Sequence, residues 1–325
     1  MFMQNLPTKV RINEVATRDG FQSEALFIPT NKKIEIIDRL SLLGLNKIEV
    51  TSFVSPKAIP NLRDAEEVMN SITRNPKVTY VTLVPNEKGA ERALATKADE
   101  VNLVMSVSES HNLSNMRMSC EQSLAQFKRI CELMKGSNTR INASLATSFG
   151  CPFEGIISPE RVIKVIHQYI DTGIQSISIA DTTGMASPRQ VYELCSQVRD
   201  IFPALDVTLH LHNTRGMGLA NALAGLSAGI TQLDASLGGI GGCPYAPGAT
   251  GNICTEDLVH MLESSGLDTG VHLTNLLEIA RELPELLEHD ISGQIAKAGL
   301  RTETRPLSQS VIDLKARIKS TKITS

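Results

Sequence analysis

Eight short β-rich runs alternate with longer amphipathic stretches, and this repetition constrains the fold more than any other feature of the 325 residues. The runs are Val10–Thr17, Lys47–Ser52, Val78–Val84, Glu100–Ser106, Arg140–Thr147, Ser176–Asp181, Val207–His212 and Gln232–Leu237. Between and after them lie Asn31–Leu43, Asn61–Thr73, Cys120–Lys135, Pro159–Thr172, Pro188–Phe202, Leu219–Ala228 and Glu256–Ser264, with apolar residues at helical spacing. Ser158-Pro159 and Ser187-Pro188 set a capping serine before a proline at the first helical position. Gly44 and Gly173 stand where helices should stop. A strand–helix unit repeated eight times is the pattern of a parallel sheet closed into a barrel. An open doubly wound sheet seldom needs eight units and wants a glycine-rich first turn, whereas the first turn here reads Ala16-Thr17-Arg18-Asp19-Gly20-Phe21. The expectation is therefore α/β: a TIM (β/α)8 barrel over residues 1–270, with C-terminal helices and a tail over 271–325.

Charge and composition narrow the partners. With 32 basic against 35 acidic residues, the chain has no excess charge for a nucleic acid or an anionic membrane surface. No apolar run approaches the roughly 18 residues of a membrane span. The opening Met-Phe-Met-Gln-Asn-Leu-Pro has neither the basic head nor the apolar stretch of a secretory signal, so a cytoplasmic protein is expected. Six cysteines, at 120, 131, 151, 195, 243 and 254, form no C-x-x-C pair, and five read as small buried hydrophobes. Cys243 is the exception.

In a barrel, chemistry gathers at the carboxyl ends of the strands, which shortens the list of candidates. His210 and His212 are two apart on a strand, so both imidazoles enter the mouth together. They are either core histidines bonded to neighbours or metal ligands. Asp19 and Asn252 add hard oxygens to that pair, a set suited to Mg²⁺ or Mn²⁺, with Zn²⁺ as a further option. Asn252 brings no charge, so the site stays net cationic and attracts an anionic, chelating substrate. Arg18 is either half of a surface ion pair, worth ~0–1 kcal/mol, or a fork for an oxyanion, where one donor is worth ~2.7–4 kcal/mol. Glu14 and Glu49 lie inside strands, where an unpaired carboxylate is costly. They pair with Arg18, hold a ligand histidine, or act directly; an orienting role is preferred for Glu14, and Asp181 admits both readings. Gly238–Asn252 holds six glycines in fifteen residues, as a linker or as a mobile lid carrying Cys243. A thiol with an ordinary pKa of ~8.5 is protonated at neutral pH, ready to act as an acid or as an acid/base shuttle.

In combination these residues resemble the 3-hydroxy-3-methylglutaryl-CoA (HMG-CoA) lyase family, within the wider class of metal-dependent barrel lyases and acyl-CoA carboligases. The matching segments begin with Glu14, Thr17–Gln22, Ile48–Lys57 and Gly150–Gly155. They continue with Ala180–Gly184, His210–Thr214, Gly239–Tyr245, Gly251-Asn252 and Thr255–Leu258. The resemblance implies retro-Claisen cleavage of a 3-hydroxyacyl-CoA, HMG-CoA first, into acetyl-CoA and a keto acid (acetoacetate). It implies that Asp19, His210, His212 and Asn252 hold the metal, that Arg18 steadies the thioester enolate, and that Cys243 moves a proton. Glu49 and Asp181 join the catalytic candidates, Gln22 and Arg215 join Arg18 as substrate-binding candidates, and Glu256 joins Glu14 in support. The chemistry agrees, because breaking a C–C bond beside a thioester needs a cation near the oxygen and an acid for the carbon.

Departures from the family pattern bear on the substrate. The family commonly reads R-D-G-L-Q-N-E-K, where Phe21, Ser23 and Ala25 stand here, and H-x-H-D-T, where Asn213 stands and Arg215 follows. A positive charge thus moves within the mouth region, which raises methylmalyl-CoA or citramalyl-CoA as alternatives. A carboligase running in the condensing direction normally carries a long carboxyl-terminal region for which this chain has no room. A biotin-dependent carboxyltransferase has a modified lysine where Ala180 stands. A non-enzymatic acyl-CoA-binding protein would release no acetyl-CoA on addition of a divalent ion. The expected partners are an acyl-CoA substrate and further copies of the chain docked through the outer helices. No cysteine follows Cys254, so no C-terminal inter-subunit thiol link is expected.

Overall fold

The computed structural model describes residues 6–242 and 251–321. All eight runs become parallel barrel strands: β1 (Arg11–Glu14), β2 (Lys47–Ser52), β3 (Thr79–Leu83), β4 (Glu100–Ser106), β5 (Arg140–Ala146), β6 (Ser176–Asp181), β7 (Asp206–Leu211) and β8 (Gln232–Ala235). The barrel closes where β1 pairs with β8, Arg11 opposite Gln232 and Glu14 opposite Ala235. It is a (β/α)8 barrel.

The outer faces of the strands are apolar, for example Val101, Leu103 and Met105 on β4 and Ile177 and Ile179 on β6. Helices cover them: α1 (Thr30–Leu40), α2 (Ala65–Ser71), α3 (Glu87–Ala95), α4 (Glu109–Met116), α5 (Cys120–Leu133), α6 (Pro159–Asp171), α7 (Pro188–Ile201) and α8 (Gly218–Ser227). The covering faces follow helical spacing, as with Val162, Val165, Ile166 and Tyr169 on α6 and Val191, Leu194, Cys195 and Val198 on α7. Ser187 caps α7 by accepting from Gln190 N in a capping box, whereas Ser158 precedes Pro159 without a side-chain capping bond. Gly44 and Gly173 follow their helices at φ of +85° and +94°, where a Cβ would be strained.

Local differences from the sequence reading have local causes. The stretch 61–73 opens with a 3-10 turn at Pro60–Leu62, and only Ala65–Ser71 is α-helical. Helices α3 and α4, of 9 and 8 residues, are too short to repeat an apolar stripe over several turns; Asn86 and Ser108 cap them. Five cysteines are described and free; three are buried as expected, while Cys120 and Cys131 are half-buried. The helix that follows β8, α9 (Thr255–Ser264), completes the barrel, and beyond it lie α10 (Leu273–Leu287), α11 (Gln294–Ala298) and α12 (Gln309–Thr321). Leu276, Leu277, Ala280 and Leu283 on α10 pack into the same apolar core as the barrel strands. No helix among the described residues is long and apolar enough to cross a membrane.

The barrel interior is polar where many barrels stack aliphatic layers. Asn13, Lys47, Glu49, Glu100, Asn102, Asn142, Ser178, Thr208 and Asp234 line a central cavity of about 30 Å³, room for about one water. Lys47 Nζ reaches both oxygens of Glu100 at 2.6 and 2.8 Å, and Asn102 Nδ2 donates to Glu49 Oε1 at 3.0 Å. This network is the floor of the site above it.

Candidate active site

The end of β1 builds the first wall of the mouth. Ala16–Gly20 form a single π-helical turn, with Phe21 N bonded to Ala16 O five residues back; such one-turn widenings recur at functional sites. The turn delivers Arg18 and Asp19 side by side. Arg18 NH1 donates to Asp19 Oδ1 at 2.6 Å, and its Nε donates to Glu49 Oε2 at 2.6 Å, with NH2 on the same oxygen. The guanidinium is therefore clamped between two carboxylates, its side chain only 9% exposed.

The second wall comes from β7 and the chain after β8. His210 Nε2 and His212 Nε2 face each other at 3.2 Å, and each lies 4.0 Å from Asp19 Oδ2. Asn252 Nδ2 donates to Asp19 Oδ2 at 2.7 Å and to the Ile240 and Gly241 carbonyls at 3.1 and 3.2 Å. Gly241, at φ of +98°, lets the two walls approach: a Cβ there would sit 2.8 Å from Asp19 O. Gln22 donates to Asp19 Oδ1 at 3.1 Å. Arg18, Asp19, Gln22, Glu49, His210, His212 and Asn252 thus form one connected cluster.

Burial and charge set the protonation states. Burial works to raise Asp19, but Arg18 and the two histidines hold it below the ordinary carboxylate range. At Glu49 burial wins over Arg18 and pushes the carboxyl up. Burial, helped by His210, drives His212 down to about 4. Burial pulls His210 the same way, but the Asp234 carboxylate on its Nδ1 raises it overall.

The donor set fits a divalent ion. Nitrogen and oxygen ligands at ~2.0–2.2 Å from one ion stand ~3 Å apart when adjacent and ~4 Å apart when opposite. The spacings of 3.2 and 4.0 Å lie in that range, and ligand atoms of Asp19, His210 and His212 fall within 4.8 Å of one another. Asn252 Oδ1 is buried and, among the described residues, has no hydrogen-bond partner, a lone pair left uncommitted beside them.

Four other expected residues sit outside this cluster. Glu14 accepts from Ala16 N and Leu237 N, both at 2.9 Å, and from Thr255 Oγ1 at 2.7 Å, stapling the π turn to the end of β8 and to α9. Glu256 accepts from Gly238 N at 3.0 Å. Burial pushes Glu14 up to about 7 and Glu256 to about 8. Asp181, raised by burial to about 6, accepts from Met185 N and Ala186 N at 2.8 and 3.1 Å. Arg215 NH1 donates to the Thr183 and Gly184 carbonyls at 3.0 and 2.8 Å, tying the loop after β7 to the loop after β6. Cys243 lies outside the described residues. The sequence reading passed over Asp234, although an aspartate within a buried strand invites the same question as Glu14 and Glu49.

Fold and mouth together define an α/β-barrel enzyme with a candidate cation site at the carboxyl end of its strands. A family model described as HMGL-like matches residues 9–283. The hydroxymethylglutaryl-CoA lyase YngG of Bacillus subtilis is 45% identical over 279 residues, covering 86% of this chain and 93% of that protein. The (R)-citramalyl-CoA lyase of Chloroflexus aurantiacus is 39% identical over 300 residues, covering 89% and 95%. An HMG-CoA lyase from Acinetobacter baumannii, in complex with coenzyme A and 3-methylmalate, is 51% identical with a TM-score of 0.90. It covers 93% of this chain and 98% of its own. The chain belongs to the HMGL-like family and is a carbon–carbon lyase.

Proposed function

We propose that the chain cleaves HMG-CoA by a retro-Claisen reaction into acetyl-CoA and acetoacetate. The observation that carries this reading is the convergence of Arg18 with Asp19, His210, His212 and Asn252 in one cluster at the mouth. Those last four residues would hold Mg²⁺ or Mn²⁺, with Zn²⁺ also compatible. When bound, the ion supplies Lewis-acid polarisation of the substrate's hydroxyl and carboxylate oxygens.

The substrate's tertiary hydroxyl gives up its proton, the bond from the carbinol carbon to the thioester α-carbon breaks, and the electron pair passes onto the thioester oxygen as an enolate. Arg18 faces that oxygen with its charge, held in place by Glu49. Asp181, fixed at the end of β6 by Met185 N and Ala186 N, is our candidate for taking the hydroxyl proton. Cys243 returns a proton to the enolate carbon. Gln22 orients Asp19, and Glu14 and Glu256 hold the backbone at the root of the glycine-rich stretch. A cytoplasmic setting and assembly of several copies through the outer helices belong to the same reading. The barrel up to residue 270 would carry the chemistry, and residues 271–325 would support it.

A second reading, a citramalyl- or methylmalyl-type thioester, is favoured by Asn213 and Arg215 beside His212. The relatives that cleave citramalyl-CoA or were solved with 3-methylmalate add to it. One assay separates the two. HMG-CoA, citramalyl-CoA and methylmalyl-CoA are each incubated with Mg²⁺ or Mn²⁺, and the products are identified by mass. Acetoacetate with acetyl-CoA supports the first reading, and pyruvate with acetyl-CoA or glyoxylate with propionyl-CoA supports the second. No cleavage of any thioester, or full activity after exhaustive chelation, refutes both.

A further inference from the structure

We propose that Asp234 is a positioning residue for the metal site, holding His210 with its Nδ1–H on the carboxylate so that Nε2 offers a lone pair. The proposal rests on the reading that Asp19, His210 and His212 bind a divalent ion. It begins in strand register. Asp234 on β8 stands directly across from His210 on β7 and from Asn13 on β1. Its two oxygens are divided between them: Oδ2 lies 3.2 Å from His210 Nδ1, and Oδ1 accepts from Asn13 Nδ2 at 2.8 Å.

Asn13 is itself fixed. Its Oδ1 accepts from Asn46 Nδ2 at 2.9 Å, so its Nδ2 is committed to Asp234. An ionised carboxylate only accepts, so the bond to His210 puts a proton on Nδ1, and in the neutral ring Nε2 is then the nitrogen with the free lone pair. That nitrogen is the one facing His212 Nε2 at 3.2 Å, next to Asp19. His212 lacks such a brace: its Nδ1 is buried without a hydrogen-bond partner among the described residues. Asp234 therefore sets the tautomer of the pair from the His210 side, and the Asn13–Asn46 chain sets Asp234. Carboxylates placed this way behind ligand histidines typically contribute 10–100-fold to metal affinity.

The test uses the full chain with Mn²⁺ as probe, comparing wild type, Asp234→Ala and Asp234→Asn by calorimetric titration. Long-range nitrogen–proton spectra of the metal-free, histidine-labelled proteins report which ring nitrogen is protonated. Asp234→Ala should weaken Mn²⁺ binding 10–100-fold, and Asp234→Asn should weaken it comparably, because the fixed Asn13 Nδ2 keeps the amide oxygen and turns the amide NH2 toward His210 Nδ1. His210 should carry its proton on Nδ1 in wild type and lose that preference in Asp234→Ala. Both variants binding Mn²⁺ within twofold of wild type, or wild-type His210 protonated on Nε2, would overturn the proposal. A wild type that cleaves thioester but binds no Mn²⁺, Mg²⁺ or Zn²⁺ would instead end the metal reading, and the tautomer spectrum would still decide the role of Asp234. Should Asp234→Ala fail to fold, the near-isosteric Asp234→Asn and the wild-type spectrum decide.

Discussion

Arg18→Gln separates what the guanidinium does for the reaction from what it does for the fold. Arg18 is buried between Asp19 and Glu49, bonded to both. Removing one partner of a buried pair costs ~3–5 kcal/mol, since the other charge is left uncompensated. For a chain of 325 residues the unfolding entropy is about 0.7 kcal/mol per degree, so that cost is a Tm decrease of ~4–7 °C. The decrease depends on pH. Burial raises Glu49, and the Arg18 charge is the largest influence pulling it back, so the variant's Glu49 rises further. A carboxyl whose folded pKa lies above its unfolded value of about 4.5 loses stability as pH climbs between the two. The gap between Arg18→Gln and wild type should be widest near pH 8 and close toward pH 5. Turnover should fall ~10²–10³-fold, the usual loss for one donor to a developing oxyanion. Adding Glu49→Gln removes the stranded carboxylate, so the double variant should regain most of the lost Tm at pH 8 and none of the turnover. Calorimetry across pH and a coupled acetyl-CoA assay read the two effects separately. Single-variant turnover within tenfold of wild type would refute the oxyanion role. A double variant no more stable than Arg18→Gln would refute the buried-charge account.

Two other perturbations probe the surroundings of the site. Cys243→Ala should lower turnover by orders of magnitude while leaving Mn²⁺ affinity at the wild-type value, measured by titration; an active variant rejects proton transfer by that thiol. Glu256, raised to about 8 by burial, stabilises the fold most below its unfolded pKa near 4.5, and that contribution disappears as pH rises through 8. Glu256→Gln should therefore flatten the decline of Tm between pH 5 and 9, and a slope equal to wild type would reject the assignment.

Much of the barrel was legible because closing a parallel sheet imposes a pattern on each strand separately. An apolar outer face against helices, a glycine stop and a serine–proline start are local demands, readable without knowing any partner. The site was legible to the extent that strand ends converge. His210 and His212 announce themselves by a spacing of two, and Arg18 and Asp19 by ending a strand. Interior pairing is different. Lys47 meets Glu100 across 53 residues, and Asn13 meets Asp234 across 221. Those partners are chosen by the stagger of the closed barrel, which no single strand encodes. Hence Glu14 could be read as a buried carboxylate needing donors, yet its donors, Ala16 N, Leu237 N and Thr255 Oγ1, come from three separate segments. The same logic explains the silence around Asp234. Its cost of burial is visible in the strand, but its value lies in standing across from His210, and only the register of β7 on β8 places it there.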